Sequence, residues 1–150
     1  MLPRRTLTVA ALAVWIGGVT LYGLVVVPLG TRVLGSATAQ GFITQAVTAR
    51  LNVIGAAALA VLAWNAWRAE HRRRALWVAW GVMVAAQVVL FALHPVLDAL
   101  LDGDARTVLD HDAFYARHRA YLLVTAAQWL AALAYAVLAI GAWRAEDRAR

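Results

Sequence analysis

Residues 120–143 read AYLLVTAAQWLAALAYAVLAIGAW and contain no Asp, Glu, Lys, Arg or His. The same is true of residues 7–29, 51–67 and 75–93. A helix rises about 1.5 Å per residue and a bilayer core is about 30 Å thick, so runs of this length can cross a membrane. Because backbone amides need internal partners in lipid, such runs favour helices. The sequence therefore predicts a polytopic helical membrane protein.

The four runs and their polar flanks predict the fold class. We expect an all-α protein with a single domain over residues 1–150, in which four transmembrane helices form an up-down bundle. Helical spacing of apolar residues continues past some of the uncharged runs, so the helices should be longer than the runs themselves. The predicted spans are about 7–29, 43–67, 75–101 with a kink near 95, and 113–143.

Arginine is distributed unevenly between the two sides of the predicted bundle. With four spans, both termini and the central loop share one side, which carries Arg4, Arg5, Arg68, Arg72, Arg73, Arg74, Arg144, Arg148 and Arg150. The opposite side carries Arg32, Arg50, Arg106, Arg117 and Arg119. The positive-inside rule predicts a multi-pass protein of the inner (plasma) membrane with both termini in the cytoplasm.

The basic balance has a simple explanation in this topology. The formal net charge of +6 comes from 14 basic residues, which are all arginine and lie at helix ends. We therefore expect lipid to be the principal partner, with no nucleic acid, and a membrane-protein partner or a second copy of the chain as further options. The chain has no cysteine, which excludes disulfides, zinc–thiolate sites and covalent c-type haem.

One segment, residues 94–119, carries more His and Asp than the topology requires. His94 and Asp98 are i, i+4 neighbours near the end of the third helix, with Gln87 deeper on the same face. Simpler roles fit other polar residues here: Asp110 and Asp112 as helix caps, and Asp102 as a turn residue before Gly103.

A comparable stripe opens the fourth helix. His118, Tyr121 and Gln128 recur at helical spacing, and the third and fourth helices should be antiparallel neighbours. The two stripes then form a polar seam that opens outward, with Arg117 or Arg119 available to neutralise Asp98 or Asp102. The predicted ligand or proton site consists of His94, Asp98, His118, Arg119, Tyr121, Gln87 and Gln128.

Several chemistries suit such a seam, and spacing alone does not choose among them. His94 and His118 on facing helices could ligate haem b or, with Asp98, a divalent metal. A chain of polar side chains could instead relay protons or line an entry vestibule. An enzyme is the least favoured class, because no nucleophile lies beside a base and Ser36, the only serine, has no nucleophile-elbow frame.

Short motifs along most of the chain resemble a known family. They are Trp15-Ile16-Gly17-Gly18, Val27-Pro28, Arg50, His94-Pro95, Phe114-Tyr115 and His118-Arg119. Together they resemble a bacterial four-helix membrane family known only as a domain of unknown function, with small eukaryotic transmembrane relatives. A more distant similarity is to the copper-resistance D type membrane proteins. The resemblance implies a four-helix bundle with a pair of His residues on its outer side, and it implies no activity.

The leading hypothesis is a non-enzymatic membrane protein that binds or passes a small ligand, ion or protein partner at the outward-facing seam. The first alternative is a haem b or metal-binding redox protein that uses His94 and His118. The second is a structural subunit whose seam docks another membrane protein. Copper handling has little support, because Met1 and Met83 are the only sulfur-bearing side chains.

Overall fold

The computed structural model describes residues 2–149. Met1 lies outside these residues, and so does Arg150, which the sequence analysis counted among the arginines of the inner side. Within those residues the chain forms four long helices, joined by short connections and one small hairpin. They are α1 (Leu2–Leu34), α2 (Ala37–Arg68), α3 (Arg73–Asp98) and α4 (His111–Arg148), with the two-residue strands β1 (Leu101–Asp102) and β2 (Thr107–Val108) between α3 and α4.

All four helices are long and apolar enough to cross a membrane. Their outward faces carry large apolar side chains, such as Leu24, Val78 and Val137, which are 75%, 68% and 69% exposed. The predicted all-α architecture with four long apolar helices is confirmed. Apolar surface on this scale is expected where lipid, not water, surrounds the protein.

Two helices begin earlier than the predicted spans because a capping residue precedes their first turn. Helix α2 begins at Ala37, earlier than predicted, because the Ser36 hydroxyl accepts a hydrogen bond from the Ala39 amide. Helix α4 begins at His111, where Asp110 accepts from the Ala113 amide, and this confirms Asp110 as the cap.

The third span was predicted to run to residue 101, but α3 ends at Asp98. Leu101 and Asp102 pair with Val108 and Thr107 as a short antiparallel hairpin. The Asp102 carboxylate accepts the amides of Asp104 and Ala105 and so forms a turn, which confirms its predicted role. Pro95 lies inside α3, as predicted.

Helix α1 is interrupted by one π-helical turn. Residues Tyr22–Val26 form this turn, and the Val27 amide donates to the Tyr22 carbonyl five residues earlier. Pro28, directly after it, lacks an N–H and crowds the preceding turn, which a wider turn relieves. The helix ends at Leu34, and the φ of 63° at the following Gly35 suits a residue without a Cβ.

The helices pack in chain order around the bundle. The α3–α4 pair makes the most extensive contact, α2 packs on α1 and on α3, and α1 packs on α4 less extensively than on α2. Arg4 Nη1 donates to the Arg68 carbonyl and Nη2 to Glu146, so the start of α1, the end of α2 and the end of α4 meet at one end. We call this the arginine end, and the opposite end, with residues 35–36 and 99–110, the loop end.

Charged side chains at the arginine end form a buried network. Arg4 and Glu146 are only 7% and 2% exposed and lie 2.6 Å apart. Arg5 contacts both Glu146 and Asp147 and lies over the Trp143 ring. Topology alone was expected to account for these arginines, and for Arg4 and Arg5 that explanation is incomplete. They tie the first turns of α1 to the last turns of α4.

The middle of the bundle is tightly packed. Leu62, Met83, Ala132 and Tyr135 have no exposed surface. The Tyr135 hydroxyl donates to the Leu62 carbonyl and accepts from Asn65, so its polar atoms are satisfied within the core.

Candidate functional site: the loop-end cavity

A cavity of about 490 Å³ occupies the loop end of the bundle. All four helices line it, from Thr31 and Asp98 near the loops to Trp15 and Gln128 deep in the bundle. Its volume lies within the range of ~300–1,000 Å³ that is usual for small-molecule sites. A second void of about 10 Å³, the size of a single water, adjoins its deep end beside Trp15 and Gln128.

The lining combines polar groups with an apolar surface. The apolar lining side chains are Trp15, Val19, Val27, Ala37, Leu51, Leu90, Leu97, Leu101, Phe114 and Leu122. The polar ones are Tyr22, Thr31, Gln40, Thr44, Gln45, Thr48, Asn52, His94, Asp98, His118, Tyr121, Thr125 and Gln128.

His94 and Asp98 form an ion-pair contact at the cavity wall. His94 Nδ1 lies 2.9 Å from Asp98 Oδ2, one helical turn away on α3. The other ring nitrogen, Nε2, lies 3.2 Å from the Gln45 carbonyl and 3.5 Å from the Thr48 hydroxyl on α2. The imidazole therefore bridges α3 to α2 as well as holding Asp98.

The partners of His94 define where its hydrogens lie. The Gln45 carbonyl can only accept a hydrogen bond. The Thr48 hydroxyl donates its hydrogen to backbone carbonyls of α2, and the shortest of these bonds is to the Thr44 carbonyl at 2.7 Å. Nε2 therefore carries a hydrogen. Nδ1, the other ring nitrogen, faces the Asp98 carboxylate.

His118 differs from His94 in having no hydrogen-bond partner for its ring nitrogens among residues 2–149. Its ring is half-buried and stacks on Phe114, with centroids 5.6 Å apart and planes 7° from parallel. The stacking fixes the orientation of the ring, while both nitrogens remain available to a bound molecule.

Other polar groups in the wall are paired with one another. The Tyr22 hydroxyl donates to Thr44 and accepts from Gln40, which joins α1 to α2. The Tyr121 hydroxyl and the Asn52 amide are 3.0 Å apart and join α4 to α2. These pairs shape the wall and leave few polar groups in it free.

The deep end of the cavity closes at a pair of glutamines. Gln128 donates to Gln87 Oε1 at 3.0 Å and to the Met83 carbonyl at 3.1 Å. Gln87 is buried behind Gln128 and does not line the cavity, and its Nε2 has no partner within residues 2–149. A Cβ added at Gly55 would meet Gln87 and Trp15 at 2.7 and 2.8 Å, which shows how closely this layer packs.

Most of the predicted site residues meet in this cavity. His94, Asp98, His118, Tyr121 and Gln128 line it, and Gln87 supports its floor. Arg119 is exposed and lies outside the lining. Arg117 or Arg119 was predicted to neutralise Asp98 or Asp102; the side chain in contact with Asp98 is that of His94.

The contribution of α2 was missed by the sequence analysis. Gln40, Gln45, Thr44 and Thr48 bring polar atoms to the wall, although they precede the uncharged run. Their spacing of three and four residues on one helix face was the available signal. Two lining glycines, Gly23 and Gly41, were also missed as part of a cavity wall: a Cβ added at either would meet nothing within 4 Å.

The cavity lining fits a metal or haem poorly. Both nitrogens of His94 are engaged, so ligation through this residue requires breaking the contact to Asp98 or to α2. Nowhere within residues 2–149 do three His, Cys, Asp or Glu side chains come together as a metal-binding group.

No family model, no curated protein and no solved structure matches this chain. The likeness to the four-helix membrane family of unknown function stays a prediction.

Proposed function

We propose that this protein crosses the inner (plasma) membrane four times, with both termini in the cytoplasm. The apolar outward faces of all four helices support insertion in lipid. The arginine content of the end that holds both termini supports the orientation. The cavity then opens on the extracytoplasmic side. A reporter fused to the C-terminus tests the orientation: activity only in the cytoplasm is expected, and activity outside would reverse it.

Within this membrane frame, we propose that the protein is non-enzymatic and binds a small molecule in the loop-end cavity. The observation that carries the proposal is the 490 Å³ cavity whose wall brings His94, Asp98 and His118 together above an apolar interior. A concave site with mostly apolar walls and a few convergent polar groups is the usual form of a ligand site.

Binding is favoured over passage through the bundle. The residues beyond the glutamine layer, Leu62, Met83 and Tyr135, are fully buried and leave no path to the arginine end in this conformation. A haem or metal-binding redox protein has less support because the His94 nitrogens are engaged. A structural subunit remains the second alternative, with the exposed apolar faces as its docking surface.

The test narrows the cavity with one added side chain and does not disturb the packing. In Gly41→Leu the new side chain enters open space on the cavity wall, whereas Gly81→Leu places the same side chain on α3 away from the cavity. Wild type and both variants are purified in one detergent, and the bound small molecules are extracted and identified by mass spectrometry.

We expect a compound that is enriched on the wild type and on Gly81→Leu and is lost from Gly41→Leu. Equal amounts of every extracted compound on all three proteins would overturn the binding function, provided that all three are folded by circular dichroism.

A further inference from the structure

We infer that the ligand of this cavity is a neutral amphiphile, with a hydroxyl or carbonyl head and an apolar tail, that enters from the bilayer between α1 and α4. This inference rests on the binding function proposed above and names the chemical class that the site would take. It follows from three features of the cavity: where the wall is open, what charge the lining holds, and which polar group is free.

Toward the loop end, α1 and α4 are in sparse contact: neither Tyr22–Val26 nor Val27–Leu34 packs extensively on α4, which leaves a gap in the wall. These helices are joined at the arginine end by ion pairs and in the middle by Trp129, whose indole donates to Thr20 at 2.9 Å. From Tyr22 to the loop end, no hydrogen bond or ion pair joins α1 to α4 within residues 2–149. Gly23 and Leu122 line the cavity on either side of this gap and are themselves exposed.

The position of the gap indicates the route of entry. It lies in the flank of the bundle, between residues that belong to the long apolar helices. A molecule that dissolves in lipid can reach the cavity sideways through it. The π-helical turn Tyr22–Val26 forms one edge of the gap, and such turns are frequent at functional sites.

The charge of the lining selects a neutral head. No arginine of residues 2–149 lines the cavity, so a buried anionic head would have no full cation opposite it. Among residues 2–149, Asp98 is the only carboxylate in the lining, and its Oδ2 is already in contact with His94 Nδ1 at 2.9 Å. A cationic head would have to displace His94, which also holds α2. Because a buried charge is costly without a partner, the site favours an uncharged polar group.

His118 supplies the recognition of that group. Its ring nitrogens have no partner within residues 2–149, and a neutral imidazole offers one donor and one acceptor. A hydroxyl can bond to either nitrogen and a carbonyl to the donor. Deeper in the cavity, Val19, Leu90 and Leu122 offer an apolar surface for the tail.

The experiment uses probes that share one tail and differ in the head. The photoreactive probe is dodecanol with a diazirine near the end of its chain, added to the protein in nanodiscs. The unlabelled competitors are dodecanol, dodecanoate and dodecyltrimethylammonium. Crosslinked peptides are identified by mass spectrometry in the wild type, in His118→Phe and in Leu122→Trp. The matched control is Val137→Trp, on the lipid-facing surface of α4.

We expect saturable crosslinks around Gly23 and Leu122, and dodecanol should compete at about tenfold lower concentration than either charged compound. His118→Phe keeps the stacking on Phe114 and should weaken competition by dodecanol about tenfold. Leu122→Trp should reduce labelling, whereas Val137→Trp should not. Stronger competition by a charged compound, or labelling that does not depend on Leu122, would overturn the inference.

The failure of this inference can be told apart from failure of the proposed function. If Gly41→Leu loses a co-purified compound whose head is charged, the cavity is a ligand site and the neutral class is wrong. If Gly41→Leu loses nothing and the dodecanol probe does not label the cavity, both proposals are wrong.

Discussion

The two ends of this bundle satisfy their polar groups in opposite ways. At the arginine end, Arg4 and Glu146 are buried against each other and join α1 to α4. At the loop end, the same two helices are in sparse contact, and polar side chains from all four helices line a cavity. One end is closed by ion pairs and the other is open. The difference indicates that the arginine end holds α1 and α4 together, and the loop end is where we propose that a ligand binds.

A pair of similar interactions makes the comparison more specific. Asn65 binds the Tyr135 hydroxyl in the packed core, and Asn52 binds the Tyr121 hydroxyl beside the cavity, each at 3.0 Å. The same chemistry joins α2 to α4 in both places. The Tyr135 hydroxyl also donates to the Leu62 carbonyl, whereas the Tyr121 hydroxyl donates back to Asn52. Substitutions at the two levels therefore compare a hydroxyl in the packed core with one beside the cavity.

The largest expected effect is at the arginine end. Glu146→Gln leaves Arg4 buried without its counter-charge and should lower the free energy of unfolding by about 3–5 kcal/mol. Asp147→Asn is the control, because Asp147 is 56% exposed and its loss should cost about 1 kcal/mol or less. Steric-trap unfolding in bicelles measures both. Equal, small effects would mean that the buried pair does not hold the helices together.

The next effect distinguishes two glycines of α2. Gly55→Ala pushes a methyl group into Gln87 and Trp15 and should cost about 1–3 kcal/mol. Gly41→Ala faces open space and should stabilise the helix by about 0.5–1 kcal/mol. The same unfolding assay measures both changes. A loss of stability in Gly41→Ala would show that the cavity wall is packed.

The smallest effect separates the two tyrosines. Tyr135→Phe removes a hydroxyl from a dry core and should cost about 1 kcal/mol. Tyr121→Phe should cost about 0.5 kcal/mol or less, because water in the cavity can replace the hydroxyl. The free energies of unfolding of the two variants, measured under one condition, test this difference. A larger loss of stability in Tyr121→Phe than in Tyr135→Phe would mean that the surroundings of Tyr121 are the drier of the two.

The sequence predicted the helices better than it predicted their contacts. Uncharged runs such as 120–143 are recognised from neighbouring residues alone. The same holds for the helix cap at Asp110, which the structure confirms. The Arg4–Glu146 pair joins residues 142 positions apart. Topology already offered a sufficient reason for an arginine near the N-terminus, so nothing local pointed to this partner.

Only part of the candidate site could be predicted, because the rest also depends on contacts between distant residues. Helical spacing brought His94 and Asp98 to one face, and the structure pairs them. What a glycine faces cannot be read from its own position: Gly55 touches Gln87 and Trp15, whereas Gly23 faces open space. The cavity is lined by side chains from all four helices, so it depends on how the whole bundle packs.

The central claim is that the bundle is open at the loop end and closed below the glutamine layer. Because the chain has no cysteine, single cysteines can report it. Thr125 lines the cavity, and Ala132 lies two helical turns deeper on the same face of α4 with no exposed surface.

The measurement is the rate at which N-ethylmaleimide, a small neutral reagent, modifies Thr125→Cys and Ala132→Cys in nanodiscs. We expect rapid modification of Thr125→Cys, slowed when Gly41→Leu fills the cavity, and almost none of Ala132→Cys. Equal rates at the two positions, or a rate at Thr125→Cys that Gly41→Leu leaves unchanged, would contradict the account.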